Sequence, residues 1–440
     1  MHPCADSNGF YDINVGEKDF PMNVILSIED SIAFVFLLCY LYQFFYTFYM
    51  LFSNEKVRVV ENFKMNKFGV IVAARNEEAV IGQLLDSINN QNYPKELIKL
   101  FVIADNCTDS TAAVSAKKGA IVYERFNDKL IGKGYALDYI FDDLIKNDDD
   151  CDGYIIFDAD NLVDKNFIKE MNKTFNLGFD AITCYRNSKN YGTNWVSAGY
   201  SLWFLRESKY LNNARMRLNT SCAISGTGFC LPKKTVIRNG GWPFHLLTED
   251  IEFSIDTVVK GGRIGYCADA CVFDEQPFKF SQSWKQRLRW SKGFYQVIGK
   301  YGTKLTKNIF KQKSFSSFDM LMTIFPAVFL TTFCILLNLI KILYGLFNDN
   351  ERGILTDGFV SMGQFLALGY LMLFFVGFIA TITEWRYINT TTFKKLIYMF
   401  TFPLFMLTYI PISLQAVFKK VEWVPIEHTV TTSIDELKEK

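Results

Sequence analysis

Two carboxylates one residue apart, Asp158 and Asp160, close a run of apolar and aromatic residues from Tyr154 to Phe157. A buried strand that ends in Asp-x-Asp presents hard oxygen ligands at the rim of a sheet. Such a pair suits Mg2+ or Mn2+ already carrying phosphate oxygens, because these ions favour carboxylate and water and seldom occupy all-protein cages. The chemistry this suggests is a nucleoside-diphosphate site. Alone the pair says little, since a strand-end Asp often just caps a loop. Its weight comes from a second acidic pair in Leu247-Thr248-Glu249-Asp250 and from a block of cations and an indole in Gln286-Arg287-Leu288-Arg289-Trp290.

The elements that must position these residues alternate. Phe68–Ala73 reads as a buried strand closing on Ala74-Arg75-Asn76-Glu77-Glu78, and a helix follows over Ala79–Ile88. The next strand, Ile98–Ala104, runs into the polar loop Asp105–Thr111, which opens another helix. A strand near Ala120–Tyr123, a helix over Gly134–Ile145 and the strand Gly153–Phe157 continue the pattern. Strand and helix taking turns predict an α/β domain with a doubly wound, mostly parallel sheet, whose ligands collect beyond the carboxyl ends of the strands. All three polar clusters sit at such ends. Past Asp160 the reading is a helix near Lys165–Phe175, a strand near Asp180–Tyr185, a helix through Trp195–Leu211 and a glycine turn at Ser225-Gly226-Thr227-Gly228-Phe229.

Half of the 440 residues are hydrophobic, with 42 Phe and 22 Tyr, and they are unevenly spread. Ser31–Phe52, Met320–Ile340, Phe359–Ile382 and Leu396–Phe418 are each long enough to cross roughly 30 Å of hydrocarbon as a helix. The sequence thus predicts a membrane protein with an N-terminal polar segment (1–30), an anchor (31–52), a catalytic domain (53–293), a basic amphipathic interfacial segment (294–318), about three transmembrane helices (319–418) and a tail (419–440). An acidic N-terminal flank (Asp12, Glu17, Asp19, Glu29, Asp30) with no cleavage site after the first span argues for a signal anchor. Lys56, Arg58, Lys64 and Lys67 then place the middle domain in the cytoplasm. The six lysines between Lys292 and Lys313 suit a headgroup surface, so membrane lipid is an expected partner. A net charge of +1 gives no hint of a nucleic-acid partner. Ten cysteines without a C-x-x-C pair read as reduced thiols, and three histidines (2, 245, 428) make a His-rich zinc site a poor fit.

Some motifs mislead. Asp148–Gly153 fits the first half of a calcium loop, but the position needing a bidentate Glu is Ala159. Gly226-Thr227-Gly228 lacks the third glycine of a dinucleotide fingerprint, and Gly132-Lys133-Gly134 lacks Walker spacing. Glu77 and Asp109 also suit helix capping, and Arg287 a salt bridge or headgroup contact.

Taken in order, Ala-Ala-Arg-Asn-Glu, Asp-Asn-Cys-Thr-Asp, Asp-Ala-Asp, Thr-Glu-Asp and Gln-Arg-Leu-Arg-Trp resemble the motifs of family 2 glycosyltransferases of the membrane-bound polysaccharide-synthase type, such as cellulose, chitin, hyaluronan and poly-N-acetylglucosamine synthases. The resemblance covers about Lys67–Lys292 and implies a GT-A-like fold. It further implies that Ala73, Glu77 and Asp105 hold uridine, that Lys133 neutralises diphosphate, that Asp158 contacts the nucleotide and that Asp160 binds the metal, Mg2+ or Mn2+. Asp250 would be the base; Gln286 and Arg289 would hold the donor diphosphate, and Glu249 and Trp290 would border the acceptor. The chemistry agrees. Displacing a nucleoside diphosphate needs its growing charge met by metal and cations, and the acceptor hydroxyl needs a base. One base opposite the leaving group gives inversion without a covalent intermediate. The expectation is transfer from a UDP-sugar to a growing β-linked polysaccharide. Transfer to a lipid acceptor and a non-enzymatic nucleotide-sensing receptor or transporter stand as alternatives. The glycine turn departs from cellulose and hyaluronan synthases after Gly-Thr. The side of the tail stays open: span parity puts Lys440 outside, whereas Lys419, Lys420 and a tryptophan motif at Trp423-Val-Pro-Ile-Glu-His favour the cytoplasm.

Overall fold

The structure is a computed structural model that describes residues 20–53, 63–348, 352–423 and 428–439. Asp12, Glu17, Asp19, Lys56, Arg58 and Val424–Glu427 lie outside the described residues, so the tail motif is seen only at its ends, Trp423 and His428.

After the long helix α1 (Phe20–Phe52) the chain builds β1 (Phe68–Ala74), α2 (Ile81–Asn89), β2 (Ile98–Asp105), α3 (Thr111–Lys117), β3 (Ile121–Arg125), α4 (Lys133–Lys146) and β4 (Gly153–Asp158). These first four strands pair in parallel in the order β3-β2-β1-β4. The residues explain the layering. β1 is Phe-Gly-Val-Ile-Val-Ala-Ala, apolar throughout, which only a strand covered on both faces can sustain. In α2, Ile81, Leu84, Leu85 and Ile88 recur at helical spacing and are all buried against that sheet.

The second half is mixed. β5 (Leu162–Val163), α5 (Phe167–Phe175), β6 (Ala181–Ser188), α6 (Trp195–Arg206), α7 (Asn213–Arg217), β7 (Phe229–Pro232), α8 (Lys233–Asn239), α9 (Glu249–Val259) and β8 (Ile264–Asp274) extend the sheet as β4-β7-β6-β8-β5. β7 runs antiparallel to β4 and β6, while β6 and β8 are parallel, so the sheet is mostly parallel rather than wholly so. α6 starts on a capping box at Asn194 and Ser197. The helix expected to reach Leu211 changes at Glu207–Asn212 into a π-helical turn.

α10 (Phe280–Gln312) runs unbroken through position 293, where the sequence suggests that the catalytic domain ends. α11 (Phe315–Ile324) is a separate short helix: Pro326 opens α12 (Pro326–Phe347), so the apolar stretch expected as one span from Met320 is two helices. α13 (Arg352–Thr383), α14 (Thr392–Leu407) and α15 (Tyr409–Phe418) follow. Four stretches among the described residues are long and apolar enough to cross a membrane: Phe34–Phe52, Phe329–Phe347, Arg352–Thr383 and Thr392–Phe418. Asp319 of α11 ties α1 to the α/β domain. It accepts from Tyr42 and Tyr46 of α1 (both 2.9 Å) and from Arg215 of α7 (2.8 and 2.6 Å), with Arg215 and Asp319 essentially sealed from solvent.

The last apolar stretch meets the catalytic domain at both ends. Lys394 Nζ at its start donates to the Gly192 carbonyl (2.6 Å), and Lys292 Nζ donates to the Ala416 carbonyl at its end (3.0 Å). Arg287 is neither an ion-pair partner nor a headgroup contact; it is buried and caps the break between α14 and α15, donating to Phe405 O (3.1 Å) and Thr408 Oγ1 (2.6 Å). The tail then returns to the sheet. α16 (Ile434–Glu439) sets Ile434 and Leu437 against Leu162 and Phe273 at the β5–β8 edge.

Candidate active site

The parallel strands deliver three of the expected residues to one edge. Ala73 pairs in register with Asp158, and Asp105 ends the neighbouring strand opposite Arg125. Ala73 stays partly open at this edge. Asp105 is less free than the sequence suggests: it is buried, and Arg125 Nη1 takes one of its oxygens at 2.5 Å. Asp109 precedes the Ser110 N-cap of α3 and holds the two loops together, accepting from Thr111 N (3.0 Å) and Glu78 N (3.1 Å).

The centre of the site is Gly226. Lys133, at the first position of α4, donates to the Gly226 carbonyl (2.7 Å) and to Asp158 Oδ1 (2.5 Å). The Gly226 N–H donates to Asp250 Oδ2 at 2.7 Å. One residue, Gly226, thus joins the Lys133 ammonium to the candidate base through its N–H and its carbonyl. The turn depends on glycine. Gly226 and Gly228 have φ of +78° and +66°, and a Cβ on Gly228 would come within 2.3 Å of Cys184 Sγ. Thr227 between them accepts from Asp158 N (3.0 Å) and donates to Asn161 Oδ1, locking the turn to the Asp-x-Asp loop.

Asp160 lies on a second face with residues that the sequence reading missed. Its Oδ2 accepts from Glu275 N (2.7 Å) at the end of β8. Glu275 accepts from Thr429 N (3.1 Å) and Val430 N (2.9 Å) of the returning tail. Next to them His428 Nδ1 bonds the Glu77 carboxylate at 2.9 and 3.1 Å. Arg186 of β6 holds Asp274 through Nε (2.6 Å), while Asp274 Oδ1 is buried without a partner. On α10, Trp290 packs edge-on against Tyr200 (5.7 Å) and Phe204 (6.2 Å), and Gln286 Oε1 is buried and unpartnered. Arg289 makes no hydrogen bond or ion pair among the described residues, yet it lies near enough to Glu249 to favour its ionised form.

Residues 66–293 match the family described as "Glycosyltransferase like family 2". The chain belongs to that family. Among relatives of this glycosyltransferase, "Probable glycosyltransferase YdaM" of Bacillus subtilis (strain 168) is 26% identical over 328 residues, covering 69% of this chain and 74% of the relative. A beta-monoglucosyldiacylglycerol synthase of Synechocystis is 26% identical over 233 residues, 52% of this chain and 47% of the relative. A poly-beta-1,6-N-acetyl-D-glucosamine synthase of Staphylococcus aureus (strain COL) is 24% identical over 276 residues, 58% and 61% of the two chains. The match thus spans only about half to three fifths of the last two. In structure, the mannosyltransferase PcManGT from Pyrobaculum calidifontis, solved with GDP-Man and Mn2+, superposes with a TM-score of 0.52 at 15% identity, covering 90% of this chain and 99% of that one. That likeness establishes the GT-A fold.

The electrostatics of the glycosyltransferase divide the acids. Burial pushes Asp250 up, and burial together with the Asp250 charge pushes Glu249 up. Burial would also raise Asp160, but His428, Lys189, the Glu275 N–H and Arg186 outweigh it and hold that carboxylate below its usual range. For His428 burial opposes the charge, whereas Asp160, Glu77 and Glu275 favour it, and the imidazole is pushed up to about 10. The site therefore gathers negative charge that an imidazolium answers.

As a metal fit, this face offers no three-residue protein cage among the described residues. The only three His/Cys/Asp/Glu ligand atoms within 4.8 Å of one another among the described residues are on Asp149, Asp150 and Cys151, where Lys67 and Lys99 already pair the acids. At the Asp-x-Asp face one ionised carboxylate, Asp160, suits a hard divalent ion that takes its remaining ligands from a diphosphate and water.

Proposed function

We propose that the protein is a membrane-embedded, metal-dependent, inverting glycosyltransferase that moves a sugar from a UDP-sugar to an acceptor hydroxyl, building a β-linked polysaccharide. The observation that carries this is Gly226, whose backbone N–H and carbonyl tie Asp250 on the acceptor side to Lys133, and through it Asp158, on the donor side by two hydrogen bonds of 2.7 Å. Ala73, Glu77 and Asp105 border the uridine. Lys133, Asp158, Gln286 and the unpartnered Arg289 face the diphosphate, where cations meet the charge that grows as the bond to C1 breaks. Asp250 takes the acceptor proton as the acceptor oxygen bonds to C1 from the opposite side. Glu249 and Trp290 line the acceptor approach. A bound Mg2+ or Mn2+ would supply Lewis-acid neutralisation at the leaving diphosphate, and Asp160 would be its protein ligand, a carboxylate held ionised with the His428 imidazolium nearby.

The contacts at both ends of α14–α15 support a topology in which α1, α12 and α13 cross the membrane and α14–α15 re-enters. Catalytic domain and tail then share the cytoplasmic side, and the conflict between span parity and Lys419/Lys420 disappears. Cysteine labelling from either side of sealed vesicles tests this: a label at 430 reachable only from the catalytic-domain side is expected, and opposite-side labelling contradicts it.

A second reading, transfer of one or a few sugars to a lipid, is favoured by the relatives named as monoglucosyldiacylglycerol synthases. Product length on a gel or by mass spectrometry, with and without dioleoylglycerol, separates the two. A polymer made without added lipid supports the first; a single-sugar, lipid-dependent product supports the second.

A further inference from the structure

On the side of the glycine turn that faces α6, a water-sized cavity of about 10 Å3 lies between Arg186, Phe204, Glu207, Ser225 and Thr227. Glu207 begins the π-helical turn, a distortion that recurs at functional sites because it re-aims a side chain. Its surroundings are unusual for a carboxylate. Arg186, Arg206 and Arg215 all lean on it electrostatically against the effect of burial, yet each gives its hydrogen bonds elsewhere. Arg186 is spent on Asp274 and the Ser225 carbonyl, Arg206 on Gln43 and Arg215 on Asp319. Among the described residues the single hydrogen bond to the Glu207 carboxylate comes from Ser225 Oγ at 3.3 Å. A carboxylate offers about four acceptor positions, so this one keeps capacity beside a cavity with room for one oxygen.

The location gives that capacity a use. Ser225 directly precedes Gly226, whose N–H holds the base. A Cβ on Gly226 would lie 3.6 Å from Arg186 Nη1 and 4.0 Å from Asp158 Oδ2, so Arg186 and Asp158 flank the same surface of the turn. Along the chain, one residue and two hydrogen bonds separate the carboxylates of Asp250 and Glu207, a span of at most about 10 Å, comparable to a pyranose ring and its hydroxyls. We propose that Glu207 and Ser225 form a subsite for one hydroxyl of a sugar ring bound at the glycine turn, with Arg186 fixing the Ser225 backbone. The cavity has room for one hydroxyl oxygen. The subsite rests on the sugar-transfer reading above. The hydroxyl belongs either to the transferred ring or to the acceptor ring; diacylglycerol, whose one hydroxyl is the nucleophile, has none to offer.

The test uses full-length protein in nanodiscs, with UDP release as the readout. Wild type, Glu207→Gln and Ser225→Ala are compared on parent and singly deoxygenated UDP-hexoses, and on parent and deoxygenated methyl glycosides as acceptors. Removing one particular hydroxyl is expected to cost wild type about 10-fold or more in kcat/KM, because a buried acceptor then loses its donor. The same deletion is expected to cost Glu207→Gln less than about threefold. The series in which this occurs, donor or acceptor, identifies the ring. If Glu207→Gln does not fold, Ser225→Ala carries the test, with the same single-hydroxyl pattern at smaller size. Equal responses of wild type and variant to every analogue overturn the subsite and leave a structural water site. No UDP release by wild type with any donor overturns the transfer reading instead, and the subsite with it.

Discussion

Asp250→Asn separates proton abstraction from everything else that Asp250 does. Its Oδ2 accepts the Gly226 N–H at 2.7 Å, and an amide oxygen can accept the same bond, so the turn and the Lys133 contact with Gly226 O at 2.7 Å are retained. What disappears is the base. General-base catalysis contributes about 10²- to 10⁴-fold, or about 3–5 kcal/mol of barrier at about 1.4 kcal/mol per tenfold. The hydrogen bond also loses its ionic component, about 1 kcal/mol. The expected variant folds with a melting temperature lowered by only a few degrees, binds UDP-sugar within about threefold of wild type and turns over at least about 100-fold more slowly. Donor titration by calorimetry and UDP release at saturating acceptor, on one preparation, read both halves. Turnover within about threefold of wild type would refute the base assignment. Loss of donor binding together with turnover would show that Asp250 chiefly holds the turn.

Further expectations follow from other contacts. Because the base works ionised and burial favours its protonated form, activity should be lost as pH falls through a raised Asp250 pKa; the acid limb of kcat/KM then lies above the ordinary value of about 4, and a limb at or below it, with the protein still folded, contradicts this. Asp319→Ala leaves the sealed Arg215 without its counter-charge, at a cost of about 3–5 kcal/mol; an unchanged thermal transition in detergent would count against the pair as the clamp between anchor and domain. Leu437 is buried at the β5–β8 edge, and Leu437→Asp forfeits about 1.5–3 kcal/mol of apolar burial, so hydrogen exchange at Thr429 and Val430 should speed about 10- to 100-fold. Unchanged exchange there would mean that the tail is held by other contacts.

How much of this was readable in sequence follows from where each signal lies. The alternation of strand and helix through Asp158 and the polar clusters at strand ends are local patterns, and the sheet bears them out. The remaining expected residues needed the family resemblance for their roles, and of these Asp105 is partly spent on Arg125. Asp274 and Glu275 repeat the signature that made Asp158 conspicuous, an apolar strand running into acids, and could have been found by the same rule. His428 closes the Trp423-Val-Pro-Ile-Glu-His motif, but its partner could not be read there, because it reaches Glu77 across 351 positions of sequence. Hydropathy gave the apolar stretches but not their path. Pro326 divides one of them, and the docking of α14–α15 against the α/β domain depends on Lys292 and Arg287 contacting it from α10. The π-turn at Glu207 lies inside an otherwise ordinary helical pattern, so its geometry emerges only in the fold.

The most direct measurement is UDP release from a panel of UDP-sugars by membranes containing the full-length protein, with and without Mg2+ or Mn2+, beside membranes containing Asp160→Ala. Asp160 is 4% exposed and held ionised at the face proposed for the metal. Release that requires the ion, accompanies glycan product and is lost in Asp160→Ala is the expected result. Equal release in chelator, or an Asp160→Ala variant as active as wild type, would contradict a metal-dependent transferase built on this site.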